Sequence, residues 1–298
     1  MINPLLYTFI AVADYGSFSK AGDHLFISST AVMKQINSLE THLDLKLVER
    51  TPGGVSLTAA GKVVYRDAKF MMDYSKKSII SAKLAEKSYD TTFCVGTSLL
   101  NPAKAFMDLW YQLNGDFPDY RLHLVPFEDN HEGIASEIEK LGIKFDFLIG
   151  VNDSKTWLSL CNFLPLGKYK KMVAVSRDDP LAKKKLIKLD DLKGRTLMMV
   201  QRGDSKINDS IRDFLNANYP EIIIEDTPKF YDMSVFNRCS ETHNVLLNIE
   251  CWKDVHPGLI TIPVDWDYEI PYGLLYSKDA PSDVLKFVDD ARNFVSKK

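Results

Sequence analysis

The stretch Ser17-Phe18-Ser19-Lys20-Ala21-Gly22-Asp23-His24-Leu25, followed at once by Phe26-Ile27-Ser28-Ser29-Thr30-Ala31-Val32-Met33-Lys34-Gln35-Ile36-Asn37-Ser38-Leu39-Glu40, reads as two helices joined by a very short turn. Ser17 offers its hydroxyl to an unpaired N–H of the first helical turn, and Phe18, Ala21, Gly22 and Leu25 recur at three- and four-residue spacing, which defines a buried face. Ser28 caps the second helix in the same way. Ala31, Val32, Ile36 and Leu39 of that helix turn inward and leave Ser29, Thr30, Met33, Lys34 and Asn37 outward. Such a face suits a DNA groove, where base edges take donors, acceptors and methyl contacts and phosphates take hydroxyls and N–H groups. A helical hairpin inside an ordinary core fits the same spacing, since the turn has no glycine.

Leu43 to Arg50 alternates apolar and polar residues like a half-buried strand, Pro52-Gly53-Gly54 is a turn, and Val55-Ser56-Leu57 is extended again. A β-hairpin after a helix-turn-helix makes a winged helix over residues 1–60. The wing sets Arg50, Thr51 and the glycine tip beside the duplex, where an arginine can enter the minor groove or grip phosphate. From Thr58, a capping hydroxyl, to about Ser88 no proline intervenes, and Ala60, Val63, Val64, Ala68, Met71, Met72, Ile79 and Ala82 recur at helical spacing. This linker helix over 58–88, about eight turns, is more than a small domain buries alone. It needs a partner surface, either a second copy or its own chain's second domain.

With 298 residues and 45% hydrophobic content the chain has apolar mass for two cores. Charge is unevenly divided: residues 1–90 carry eleven Lys and Arg against nine Asp and Glu, and the remainder is acidic enough to bring the net charge to −3. The DNA-facing end is only slightly basic, so binding has to come from geometry and local contacts more than from a bulk positive field. Met1 to Ala13 is apolar but lacks a basic start, carries Asn3-Pro4 as a cap and first turn, and runs into Asp14, which argues against a signal peptide. No apolar run approaches a membrane span, so a cytoplasmic protein with no membrane partner is expected.

Beyond about Tyr89 strands and helices alternate. Phe93-Cys94-Val95-Gly96, Arg121 to Phe127 and Phe145 to Val151 read as strands, with helices at Pro102 to Leu113 and His131 to Leu141. A second set follows: strands at Lys171 to Ser176, Leu197 to Val200, Ile222 to Glu225, Val245 to Ile249 and Gly258 to Pro263, with helices at Ser205 to Ala217 and Asp232 to Cys239. The chain returns through Pro271 to Tyr276 and a last helix, Ser282 to Val295. The order predicts an α/β domain over 91–298 with a mostly parallel sheet. It has two lobes, 91–166 with 266–298 and 167–265, and the chain crosses between them near Gly167 and Trp266.

Ligands in open α/β sheets sit beyond the carboxyl ends of the strands. The loops there offer Thr97, Ser98 and Asn101; Glu128-Asp129-Asn130; Asn152; Gln201-Arg202-Gly203-Asp204-Ser205; and Thr227 and Tyr231 from the other lobe. Thr97-Ser98 precedes a helix, so its hydroxyls and the helix N–H groups offer a place for a carboxylate or other small anion. The same residues serve equally as caps and turns. Catalysis finds little support: there is no Gly-rich phosphate loop, paired-histidine metal motif or serine-nucleophile elbow, and Cys94, Cys161, Cys239 and Cys251 have no metal spacing. No cofactor and no metal are expected.

Leu6, Phe9, Val12, Gly16-Ser17-Phe18-Ser19, Ala21, Leu25, Ser28, Ala31-Val32, Gln35-Ile36, Leu39-Glu40, Leu43, Leu47, Arg50 and Leu57-Thr58-Ala59-Ala60-Gly61 together resemble the DNA-binding module of LysR-type transcriptional regulators, without a gap over about the first 65 residues. The chain departs from the family pattern at Gly22, Ser29, Thr30, Met33 and Asp44, several of them on the outward helix face that reads the operator. The resemblance implies a dimer built on the linker helix, which sets two recognition helices on successive major grooves. It also implies a two-lobed effector-binding domain similar to periplasmic solute-binding proteins. Asp179-Pro180-Leu181-Ala182 followed by Leu189-Asp190-Asp191-Leu192-Lys193-Gly194 looks like a recurrent family segment, with aspartate in place of the usual histidine.

Peroxide-sensing members of the family use two cysteines in the second lobe. Cys251, beside Trp252 in an apolar stretch, reads instead as a buried inert thiol. The expected partners are double-stranded promoter DNA, a small-molecule effector, a second or further copy of the chain as homodimer or homotetramer, and RNA polymerase. A solute-binding protein or enzyme with an appended helical domain is the alternative.

Overall fold

The structure, a computed structural model, describes residues 2–51, 54–85, 91–116, 120–129 and 134–296. It divides into two compact units, Met1–Lys87 and Ser88–Lys298. The first contains α1 (Leu5–Tyr15), α2 (Phe18–Leu25), α3 (Ser29–Leu43), the antiparallel pair β1 (Val48–Thr51) and β2 (Gly54–Leu57), and α4 (Ala59–Ala85). Ser17 Oγ accepts from Lys20 N at 3.5 Å and Ser28 Oγ from Ala31 N at 3.1 Å, so both hydroxyls cap the helices they precede. The tip Pro52-Gly53 and the helix end beyond Ala85 lie outside the described residues.

The core of this unit gathers Phe9 and Val12 of α1, Ala21 of α2, Val32, Ile36 and Leu39 of α3, Leu47 and Ala68. The turn between α2 and α3 closes without glycine because Phe26 itself takes the left-handed conformation, φ 57°. Gly22 makes this possible: a Cβ there would stand 2.7 Å from the Ile27 carbonyl oxygen. Gly61 lets α4 approach the wing more closely still, since a Cβ would fall 1.9 Å from Leu47 O.

The strand expected from Leu43 begins only at Val48. Helix α3 runs on to Leu43, Asp44 takes a left-handed cap at φ 52°, and the Glu40 carboxylate holds the segment that follows, accepting from Leu47 N at 2.7 Å and Val48 N at 3.1 Å. The alternation in 43–47 is therefore a helix end and its clamp. The apolar residues of α4 also divide, rather than forming one stripe. Val64, Ala68 and Met72 pack into the unit's core, while Val63, Phe70, Met71, Tyr74 and Ile79 are exposed.

The second unit comprises β3 (Thr91–Thr97), α5 (Lys104–Asp116), β4 (Tyr120–Pro126), α6 (Ile134–Ile138), β5 (Phe147–Val151), α7 (Lys155–Leu160), β6 (Asn162–Ser176), β7 (Thr196–Val200), α8 (Lys206–Asn218), β8 (Ile223–Thr227), α9 (Met233–Thr242), β9 (Val245–Ile249), β10 (Leu259–Pro263), β11 (Glu269–Tyr276) and α10 (Ser282–Val295). The sheet runs β4-β3-β5-β11-β6-β9-β7-β8, with β10 also on β6.

It is not mostly parallel. β3 is parallel to β4 and β5, and β7 to β8 and β9, but β11 is antiparallel to β5 and β6, and β6 to β9 and β10. The physical reason is that β6 runs on from one block into the other, and the returning chain lies antiparallel beside its first half as β11. β6 pairs with β11 through Lys170 and with β9 from Lys171 onward. A core around Phe93, Phe147 and Phe287 fills one block, and one around Leu197, Ile211 and Val245 fills the other.

Candidate functional site

In the first unit the candidate nucleic-acid face is the N-terminal half of α3. Thr30, Lys34 and Asn37 are exposed there, with Ser29 and Met33 half-buried beside them. Ser17 and Ser28 sit at the starts of α2 and α3, and both hydroxyls are occupied as caps. Arg50 reaches from β1 to this face: its Nη2 lies 3.1 Å from Met33 Sδ and its guanidinium carbon 5.7 Å from the centre of the Phe18 ring. Neighbouring Thr51 donates from Oγ1 to Gly54 O at 3.5 Å across the hairpin. The wing arginine and the recognition helix therefore form one surface. Glu40 supports it from inside. Burial disfavours its charge, but the Lys46 ammonium at 2.6 Å and the Leu47 and Val48 N–H groups outweigh that and hold the carboxyl below its ordinary value.

In the second unit the polar loops at the strand ends surround a cavity of about 120 Å³. Asn101, Gln201, Asp204, Ser205 and Tyr231 line it. Thr97 and Ser98 do not. Thr97 Oγ1 donates to Asn101 O at 3.0 Å, and Ser98 Oγ donates to Asp129 Oδ1 at 2.7 Å while accepting from Asn101 N at 3.1 Å, so these hydroxyls are spent in building their own loop. Asn130 lies outside the described residues.

The loop that meets Gln201–Ser205 is instead the one after β5. Ser205 Oγ donates to Asp153, Asp204 Oδ1 accepts from Thr156 Oγ1 at 2.8 Å, and Ser154 and Ser205 form a β-bridge. Ser205 also accepts from Asn208 N and so starts α8. Burial disfavours the Asp204 charge, but its hydrogen bonds from Ser154 and Thr156 and the nearby Lys229 hold the carboxyl below its usual value.

The cavity residues that sequence reasoning missed include Asp153, Trp157, Lys171 and Trp252. Lys171, 6% exposed on β6, donates to Asn208 Oδ1 at 2.7 Å; burial pushes its ammonium down to about 8, with Asp153 working the other way. The signal was a charged residue, last of the group Lys168, Lys170 and Lys171, set directly against the apolar run Met172-Val173-Ala174-Val175. Trp157 belongs to α7, a helix too short to show periodicity. It stacks on Phe230 with ring centres 5.8 Å apart. Trp252 Nε1 donates to Leu100 O at 2.6 Å, and Tyr231 Oη to Leu247 O at 3.2 Å. All four cysteines are free thiols, and burial pushes both Cys239 and Cys251 up to about 12, which keeps them protonated.

Residues 4–62 match the family model described as "Bacterial regulatory helix-turn-helix protein, lysR family". The chain is 26% identical over 209 residues to the HTH-type transcriptional regulator CysL of Bacillus subtilis (strain 168), an alignment that covers 68% of this chain and 66% of that relative, just under two thirds of its length. The fold is similar to the crystal structure of CbnR, a LysR family transcriptional regulator, with TM-score 0.69 and 20% identity over 98% of this chain and 99% of that one. It is equally similar, TM-score 0.69 at 17% identity over 99% of this chain and all of the other, to full-length CbnR complexed with its target DNA. The helix-turn-helix of the first unit is thus of the LysR type, and the matched relatives are named as transcriptional regulators. Among the described residues no helix is long and apolar enough to cross a membrane.

Proposed function

We propose that this chain is a sequence-specific, DNA-binding transcription regulator that acts in the cytoplasm, pairs with itself through α4, and answers to a small-molecule effector held in the cavity of its second unit. The observation that carries the reading is the single surface made by Thr30, Lys34 and Asn37 of α3 with Arg50 of the wing, in contact through Met33. That surface supplies base-edge donors and acceptors on a helix, and a cation beside it for phosphate or the minor groove. CbnR, whose fold is similar, has been solved with its target DNA. In this reading RNA polymerase is the partner through which occupancy becomes transcription.

A ligand in the cavity shifts DNA occupancy only by binding the open and closed arrangements of the lobes unequally, and the Asp153–Ser205 and Thr156–Asp204 contacts are what opening breaks. The test is a gel shift of the full chain on DNA flanking its own gene, against a scrambled duplex of equal length. Retardation of the flanking DNA at a protein concentration at least about a hundredfold lower is expected. Equal retardation of both duplexes sinks the proposal and leaves a solute-binding protein with an appended helical domain.

A further inference from the structure

The cavity's hydrogen-bonding groups are unequally satisfied. Its carboxylates are committed: Asp129 accepts from Ser98 Oγ and Leu100 N, Asp153 from Ser205 Oγ and Ile207 N, and Asp204 from Thr156 N and Oγ1. The donors of Tyr231 and Trp252 are also spent on backbone carbonyls. Among the described residues, two side chains more than nine-tenths buried keep donors to spare. Lys171, with three N–H bonds to give, has one acceptor, Asn208, and no ion pair among the described residues. Trp157, 9% exposed, has a buried Nε1–H without any acceptor among the described residues. A buried donor without an acceptor is unfavourable, so such groups favour a ligand that supplies one.

Net charge does not decide what fills the gap, because the aspartates outnumber Lys171 and Lys229. The donor accounting does, because a ligand here has to bring acceptors. We propose that the effector is a small monoanion, a carboxylate on a short apolar body, whose oxygens sit on the Lys171 ammonium and the Trp157 indole N–H. This rests on the cavity being the effector site, and it places the anion on β6 and α7 instead of on the Thr97-Ser98 loop. The space of about 120 Å³ fits a body of a few carbons. A carboxylate there would stabilise the desolvated ammonium by a charge pair that Asn208, its hydrogen-bond partner among the described residues, does not supply.

Three probes of one shape test it by calorimetric titration of the full chain at pH 7: 3-methylbutanoate, 3-methylbutanamide and 3-methylbutylamine. The acid should bind, the amide at least about tenfold more weakly, and the amine not at all. Lys171→Met and Trp157→Phe should each weaken the acid by a larger factor than the amide, whose carbonyl oxygen accepts the same hydrogen bonds without the charge. Trp157→Phe keeps the ring and carries the test should Lys171→Met not fold. If the amide equals the acid and Trp252→Ala weakens both, the cavity stands as the site and the anion assignment is wrong. If no probe binds, or if the acid binds with an affinity that neither Lys171→Met nor Trp252→Ala moves, both the anion and the site are wrong.

Discussion

Arg50 Nη2 and Met33 Sδ are 3.1 Å apart, which ties the first strand of the wing to the exposed face of the recognition helix. The thioether is a weak acceptor and a soft surface on which the guanidinium rests, with the Phe18 ring on its other flank. In the proposed reading the two residues are expected to act on DNA together.

Arg50→Ala is expected to weaken operator binding across sequences and to lower the salt slope by about one phosphate contact, while Met33→Ala changes sequence preference and also frees the guanidinium. Their effects should couple by at least about 0.5 kcal/mol in a double-mutant cycle read by fluorescence anisotropy on operator DNA. Effects that add within about 0.3 kcal/mol would mean that the contact has no part in binding.

Phe26 is 94% exposed and held at φ 57°, so its side chain contributes little packing while its backbone is strained. Phe26→Gly should stabilise the first unit by up to about 1 kcal/mol, since the left-handed conformation costs a non-glycine residue roughly 1–2 kcal/mol and glycine recovers only part of that after its own entropy loss. Scanning calorimetry of the full chain would register this as an upward shift of that unit's transition. A downward shift would assign the phenyl ring a structural contact.

Glu40 sets an acid limit on the same unit. Its carboxyl lies below the ordinary 4.5 in the folded chain, despite burial, because Lys46 and two backbone N–H groups favour the charged form. The folded state thus binds the proton less readily than the unfolded one. The stability Glu40 contributes is complete above the ordinary carboxylate range and drains away as pH falls through the lowered folded value. Glu40→Ala should cost at least about 2 kcal/mol at pH 7, by orphaning Leu47 N and Val48 N, and should flatten the dependence on acid pH. Chemical denaturation at pH 7 and at pH 3 checks both. An unchanged acid slope in the mutant would place the effect elsewhere.

The division of α4 into two faces separates folding from assembly. Val64→Glu puts a carboxylate into the core beside Ala68 and Met72 and should unfold the first unit. Phe70→Glu, on the exposed face with Val63 and Tyr74, should leave the fold intact and shift the mass seen by light scattering toward monomer. A Phe70→Glu protein with the parent's mass over a wide dilution range would rule this face out as the assembly surface.

Local signals carried most of the architecture. Ser17, Ser28 and Thr58 cap the helices they precede, because a side-chain hydroxyl three residues before an N–H is a near-neighbour rule that spacing alone reveals. What failed was anything set by distant partners. The antiparallel pairing of β6 and β11 joins residues about a hundred positions apart, and no local pattern distinguishes it from a parallel crossing. The candidate cavity was half legible: loops after strands gave Asn101, Gln201, Asp204, Ser205 and Tyr231, whereas Lys171 and Trp157 lie within elements and acquire their importance from what surrounds them. Thr97 and Ser98 had the right chemistry and the right position, but the hydroxyls were taken by the loop itself.

Strand β6 changes partner between Lys170 and Lys171, bonding to β11 before that point and to β9 after it. Neither block of the second unit owns that strand. Cutting the chain there would give two fragments, each with half a strand and an open sheet edge, the kind of surface that pairs with whatever extended chain is nearest. The lobes are therefore not modules to be swapped between relatives at this point, and a chimaera that keeps its solubility must exchange the unit whole.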